Sequence, residues 1–363
     1  MENYLASNKI KNILITGGMG FVGSNIAIFL KRKYPEYVVI AFDNLKRRGS
    51  ELNINRLKNE GVIFIHGDIR NKSDFEEIGK VDCIIDAAAE PSVLAGIDTS
   101  PEYLIDTNLN GTINTLYFAN KHKSDFIFLS TSRVYPISTI EKINHTESST
   151  RFEISEDQTF NGISPKGITE AFPLEGARSF YGSTKLASEL LVNEFHQFAG
   201  LRTVINRCGV IAGPWQMGKV DQGVTVLWVA RHYYKKKLSY IGYGGTGKQV
   251  RDVLHIQDLF ELVDWQIHNI KNIDGETFNV GGGYECSISL KELTQLCQQI
   301  TGHSIEIEQI KETREADIRI YLTDNSKVTK MCGWKPQKTM QMLIKDIYEW
   351  LKANDNQLSS ILK

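Results

Sequence analysis

Tyr181 and Lys185 lie four positions apart in "GARSFYGSTKLASELL", residues 176–191, a run that reads as the start of a helix. On a helix that spacing stacks the two side chains on one face. A phenol has an ordinary pKa of about 10 and is a poor base near neutrality. An ammonium one turn away favours the phenolate, and a phenolate can take the proton of an alcohol. A third residue completes that chemistry. The apolar run "DFIFLST" leads through Ser130 and Thr131 to Ser132, and the threonine hydroxyl can share the substrate proton. Alone, each of these residues is ordinary: a strand-end threonine, a half-buried aromatic, a surface lysine. Their order behind the turn described next makes Thr131, Tyr181 and Lys185 the candidate catalytic set.

That turn is "ILITGGMGFVGSN", which puts Gly17, Gly20 and Gly23 between a first strand and a first helix. Gly17 permits a tight turn, Gly20 lets the backbone approach a pyrophosphate, and Gly23 lets the helix sit close to the sheet. The helix N-terminus then offers N–H groups and a positive dipole end to phosphates. Asp43 follows 20 residues after Gly23, at the end of the second strand. A carboxylate there accepts hydrogen bonds from an adenosine ribose and repels a 2′-phosphate, which favours NAD over NADP. Arg47 and Arg48 follow closely and act against that preference. Asp68 ends the third strand and can reach the adenine edge. With NAD in the cleft, Tyr181 can remove an alcohol proton while hydride leaves for the nicotinamide.

The elements that must position these residues are legible as short apolar runs: 12–16, 37–43, 62–66, 83–89 and 126–131. They do not alternate with polar residues, as expected of parallel strands buried on both faces. Helical stretches separate them; in 20–33, Val22, Ile26, Phe29 and Leu30 share a stripe. The pattern predicts an α/β fold, a Rossmann-type doubly wound parallel sheet. A smaller α/β C-terminal substrate domain follows. The first domain is expected over 1–205, with returning segments near 249–282; the second takes 206–248 and 283–363. Later elements are a strand at 202–208, a helix at 225–237 and a strand at 276–283 entering a glycine turn. Helices near 289–301, 324–332 and 339–353 close the chain. The segment 138–180 reads as a long functional loop.

With 41% hydrophobic and 23% charged residues, the chain of 363 can bury a sizeable core. Its net charge of −1 argues against a nucleic-acid or membrane-surface partner. Lys235, Lys236 and Lys237 read as a solvated helix end. Cys83, Cys208, Cys286, Cys297 and Cys332 are scattered and odd in number, which suits a reduced, cytoplasmic setting. "MENYLASNKIKN" has no apolar core, so no signal peptide is expected. No membrane span and no metal site are expected either.

Gly17, Gly20, Gly23, Asp43, Thr131, Tyr181 and Lys185 together resemble the extended short-chain dehydrogenase/reductase family, the sugar-nucleotide epimerases and dehydratases. "NRCGVIAGP" (206–214), "QVRDVLHIQDL" (249–259) and "FNVGGG" (278–283) are similar to its C-terminal signatures. The resemblance covers nearly the whole chain. It implies tightly held NAD, recycled in each turnover, and a sugar nucleotide between the domains. It places the cofactor against Gly17, Gly20, Phe21, Val22, Gly23, Asp43, Asn44, Asp68, Ile69, Ala87, Ala89, Asn108, Ser130, Tyr181, Lys185 and Cys208. Two motifs depart from the family pattern. Asp86 stands where a histidine is usual, and Gly209 and Val210 stand where an asparagine precedes Gly-Pro.

Dehydratases of this family follow the strand-end threonine with Asp-Glu, and here Ser132-Arg133 occupy those places. That argues for an epimerase, which needs no acid pair. Segments 161–189, 206–223 and 240–255 are similar to the branch of the family that acts at C2 of CDP-linked dideoxyhexoses. A CDP-sugar substrate and a homodimer or homotetramer are implied. So is a substrate pocket of Ser132, Arg133, Gln216, Met217, Lys219, Gln222, Gln249, Arg251, Arg314 and Asp317, with Arg251 and Arg314 on the diphosphate. Arginine suits phosphate oxygens through its planar fork. The alternatives are another sugar-nucleotide epimerase, acting at C4 of a UDP- or dTDP-sugar, or a reductase of the same fold. A non-catalytic dinucleotide sensor would have no use for Tyr181 and Lys185.

Overall fold

A computed structural model describes residues 11–97, 99–218 and 222–363. Lys219 lies outside the described residues, and so do residues 1–10, which hold most of the stretch expected to lack a signal sequence. Seven parallel strands form the main sheet. They are β1 (Asn12–Thr16), β2 (Val38–Asp43), β3 (Ile63–His66), β4 (Cys83–Asp86), β5 (Asp125–Thr131), β6 (Thr203–Cys208) and β7 (Glu276–Val280). Their order is β7-β6-β5-β4-β1-β2-β3, so the chain reverses direction across the sheet between β1 and β4. Ligands of doubly wound sheets bind beyond the strand ends at such a point.

The apolar runs pack as their lack of alternation requires. Ile13 and Ile15 face a core with Ile26, Leu30, Leu259 and Val263, from helices Phe21–Lys33 and Ile256–Asn269. Leu14 faces the other way, with Phe126, Phe128, Leu116 and Val192. Helices Gly111–His122 and Phe180–Ala199 cover that second face. β3 departs from the expectation of two buried faces. It is the sheet edge, and Ile63 is 49% exposed. β6 continues past residue 205 to Cys208, and β7 returns to the same sheet after a long excursion.

The smaller lobe packs helices Val224–Tyr233, Leu290–Thr301 and Met340–Ala353 around Val229, Cys297, Ile344 and Leu351. A final helix, Asp355–Leu362, extends beyond the elements expected from sequence. The segment 138–180 is more ordered than a loop. It forms one antiparallel pair of His145–Glu147 with Phe152–Ile154 and another of Ile163–Ser164 with Gly167–Ile168. The second hairpin is stitched to the chain's later part, because Ile168 N–H donates to Leu322 O at 2.8 Å and Asp324 N–H to Ile168 O at 3.0 Å. All five cysteines are free and buried. Among the described residues no helix is long and apolar enough to cross a membrane.

Asp258, buried on the Ile256–Asn269 helix, ties the lobes together. Its carboxylate accepts the backbone N–H groups of Gln337 and Lys338 at 3.1 and 3.0 Å, and its carbonyl accepts Trp334 Nε1 at 3.0 Å. Asp258→Ala leaves two backbone donors without their acceptor, a cost of roughly 2–4 kcal/mol. Urea unfolding of the variant against wild type measures that loss.

Candidate active site

Gly17 turns the chain with φ +63°, and a Cβ there would lie 2.8 Å from Ala88 Cα. A Cβ on Gly23 would lie 2.3 Å from Gly17 O, so the helix starts closer to the strand than any side chain permits. No side chain caps that helix at Gly20. Its first residues, Phe21 and Val22, line the cleft. The Asp43 carboxylate accepts Met19 N–H at 3.0 Å and Leu45 N–H at 2.7 Å, which leaves further lone pairs for a ribose. Burial raises its pKa and those backbone donors oppose the rise. Arg47 and Arg48 reach away, to Met217 O and Ser360 O. Asp68 accepts from Asn44 at 2.9 Å and pairs with Arg70 at 2.6 Å. Burial works against its charge, yet the Arg70 and Asn44 hydrogen bonds hold its pKa at about 2. Ile69 is buried against Gly111, in the core rather than on the cleft.

Thr131, Tyr181 and Lys185 line one cavity of about 530 Å³, together with Ser130, Ala87 and Ala89. Thr131 ends β5 in register with Cys208 at the end of β6, so Cys208 lies on the same wall. Ser179 caps the Phe180–Ala199 helix by accepting Gly182 N–H, which brings Tyr181 into its first turn. The Thr131 hydroxyl accepts Arg133 N–H at 3.2 Å and lies near enough to the Tyr181 phenol to oppose the rise that burial causes in its pKa.

The electrostatics differ from the expectation that Lys185 draws Tyr181 towards phenolate. Burial dominates and pushes the phenol up to about 12. The cation that opposes this is Arg133, while Cys208 and Glu90 reinforce the rise. Lys185 is 1% exposed, with Nζ 3.9 Å from the centre of the Phe128 ring. Burial lowers its pKa to about 8, against the pull of Asp86 and Glu189. Asp86 is itself fully buried and accepts from Thr16 and Thr112.

Several neighbours were not singled out from sequence. Glu189, two helical turns beyond Tyr181, forms a buried ion pair with Arg207 at 2.7 Å and accepts from Ser130 Oγ. Glu90 has its backbone held by Asn108, which donates to Glu90 O at 3.1 Å and accepts Glu90 N–H at 2.8 Å. Asn108 also donates to Thr184. Its amide is therefore spent on positioning, and no donor of it is left for a cofactor. Glu189 and Glu90 carry a weak signal in their spacing from Tyr181 and from the Ala87–Ala89 run.

Of the residues expected to bind substrate, Ser132, Arg133, Gln216, Gln222, Gln249, Arg251, Arg314 and Asp317 line the same cavity. Gln216, Gln222 and Gln249 each leave a buried carbonyl oxygen without a donor. Gln249 is fixed by donating to Ile241 O at 2.8 Å. Met217 is a correction: it sits in the small-lobe core and presses on Gly49, where a Cβ would meet Met217 Cγ at 2.6 Å.

The profile of the NAD dependent epimerase/dehydratase family matches residues 13–281. The chain belongs to that family. It is 32% identical over 355 residues to the CDP-paratose 2-epimerase of Salmonella typhi, across 94% of this chain and 99% of that protein. It is 27% identical to the dTDP-D-glucose 4,6-dehydratase of Mus musculus, across 95% and 89%. The UDP-glucuronic acid 4-epimerase of Bacillus cereus, solved with UDP-glucuronic acid and NAD, matches with a TM-score of 0.75 at 25% identity, across 94% and 99%. An NAD-dependent sugar-nucleotide enzyme of this family needs a pyrophosphate cradle and a ribose acceptor. The glycine turn, the uncapped helix and Asp43 fit NAD. Bound there, NAD supplies a hydride acceptor that gives the hydride back.

In the cofactor-free protein, Tyr181 should ionise only near pH 12, read as the phenolate absorbance of wild type minus Tyr181→Phe. The folded protein keeps that proton up to about 12, whereas the unfolded phenol releases it near 10. Stability therefore falls across that interval, and Tyr181→Phe flattens the fall.

Proposed function

We propose that this chain epimerises a CDP-linked deoxyhexose at C2, converting CDP-paratose to CDP-tyvelose. The observation that carries the reading is the end of β5, where Thr131 is followed by Ser132 and Arg133. No Asp-Glu pair stands there to expel water, which favours epimerisation over dehydration. The similarity to a CDP-paratose 2-epimerase supports the choice of C2 and of CDP.

In this reading Tyr181 takes the proton of the C2 hydroxyl, and the Thr131 hydroxyl beside it on the same cavity wall shares that proton. C2 becomes a ketone. The sugar turns in the cavity to present its other face, and Tyr181 returns the proton to the same oxygen. Lys185, buried beneath the helix, orders the nicotinamide ribose. Arg251 and Arg314 hold the diphosphate.

NMR of CDP-paratose incubated with the NAD-loaded protein tests this, with no cofactor added. CDP-tyvelose should appear, and in D2O its C2 should stay protiated, because the hydride returns from the cofactor. Deuterium at C2 points instead to carbanion chemistry. Tyr181→Phe should slow conversion about 10²–10⁴-fold while keeping its NAD. Unchanged CDP-paratose, with turnover of a UDP- or dTDP-sugar at C4, overturns the reading.

A further inference from the structure

Arg133 occupies a position that the chemistry above leaves unused. Three successive residues hold two guanidinium groups side by side. Ala316 O accepts Arg133 Nη1 at 3.2 Å, Asp317 Oδ1 accepts Arg251 Nη2 at 3.0 Å, and Ile318 O accepts Arg251 Nη2 at 2.6 Å. The one carboxylate among them, Asp317, bonds Arg251 alone. Among the described residues, Arg251 pairs with it and Arg133 has no ion pair. The residue that presents its carbonyl to Arg133 is itself strained: Ala316 has φ +60°, a left-handed conformation that costs a non-glycine residue energy.

The other end of Arg133 is pinned to the reacting pair. Its N–H donates to Thr131 Oγ1 at 3.2 Å. Its carbonyl packs on Gly182, where a Cβ would come within 2.1 Å, and Gly182 follows Tyr181 directly. Arg133 therefore spans the wall between Thr131–Tyr181 and Arg251. One N–H of its fork is committed to Ala316, and the others are available for an oxyanion.

We propose that Arg133 fixes which sugar carbon reacts: its guanidinium holds an oxygen of the phosphate joined to the sugar, so that C2 faces Tyr181 and Thr131. The proposal rests on the C2 reading above and deepens it. In a nucleotide-linked sugar, C1 carries the phosphate. The C2 hydroxyl is on the neighbouring carbon, whereas C4 lies across the ring. A cation that serves the phosphate and also borders the catalytic phenol suits a reacting carbon next to C1. The same charge opposes the effect of burial on Tyr181.

The test uses NAD-loaded Arg133→Met and Arg133→Lys, with melting and NAD content compared to wild type; Arg133→Gln replaces the methionine variant if that one melts early. Calorimetry with CDP and CMP separates the sugar-side phosphate from the rest of the nucleotide. Arg133→Met should bind CDP about tenfold more weakly and CMP as wild type does. Its kcat/KM for C2 epimerisation should fall about 100-fold, with the alkaline rise of its pH profile moved to higher pH. Arg133→Lys should recover part of both losses. Wild-type CDP affinity or a wild-type C2 rate in Arg133→Met overturns the proposal and leaves the C2 reading standing. Arg133-dependent CDP binding in a wild type that never acts at C2 overturns both.

Discussion

The site depends on one buried ion pair. Glu189 is 2% exposed and lies on the helix that carries Tyr181 and Lys185. Arg207 on β6 grips it with two nitrogens, and Ser130 on β5 donates to it. Burial alone would discharge Arg207, but Glu189 more than offsets that and raises its pKa. Breaking such a pair leaves an uncompensated charge in the core, which is far costlier than losing a surface contact. The helix is thereby locked in register with the strand that ends in Thr131. Tyr135 continues the lock, accepting from Arg207 at 3.2 Å and donating to Asn279 on β7 at 2.7 Å.

Around that anchor the cleft holds charge that the fold makes expensive. Lys185 and Tyr181 are both pushed by burial towards their neutral forms, one downward and the other upward. Asp86 is pushed the same way, towards the neutral acid, and Lys185 and the two threonines pull against it. A site poised like this responds strongly to any new charge brought into it, because little water remains to screen the effect. The protein holds the Tyr181 phenol in a state that a positively charged neighbour can shift.

Much of the scaffold was legible in the sequence. The strands are apolar runs because both faces of a central parallel strand are covered, and β3 misled because an edge strand has the same composition with less cover. The glycine turn was legible because Gly20 and Gly23 close on Gly17 itself, within a few residues, although Gly17 also meets Ala88 far along the chain. Other features depend on contacts between distant segments. Nothing near Asn108 shows that its amide is consumed by Glu90. Met217 reads as a pocket residue until Gly49 is seen to press on it from 168 positions away. Spacing places Lys185 beside Tyr181, but only the packed structure shows that burial outweighs its charge. The hairpins in 138–180 were hidden because their anchors lie far along the chain, Lys248 for the first and Leu322 and Asp324 for the second.

The position of β7 in the sheet has a consequence for how the molecule is made. β7 pairs with β6, yet residues 209–275 are synthesised between them. Until Glu276–Val280 leaves the ribosome, the six residues of β6 present an edge with unpaired backbone groups, the kind that sticks to other chains. The seven-stranded sheet therefore cannot be finished before the Val224–Tyr233 helix of the smaller lobe has been made. Pairing over such long separations is slow. The molecule ripens as a unit, and its most vulnerable moment falls late in translation rather than early.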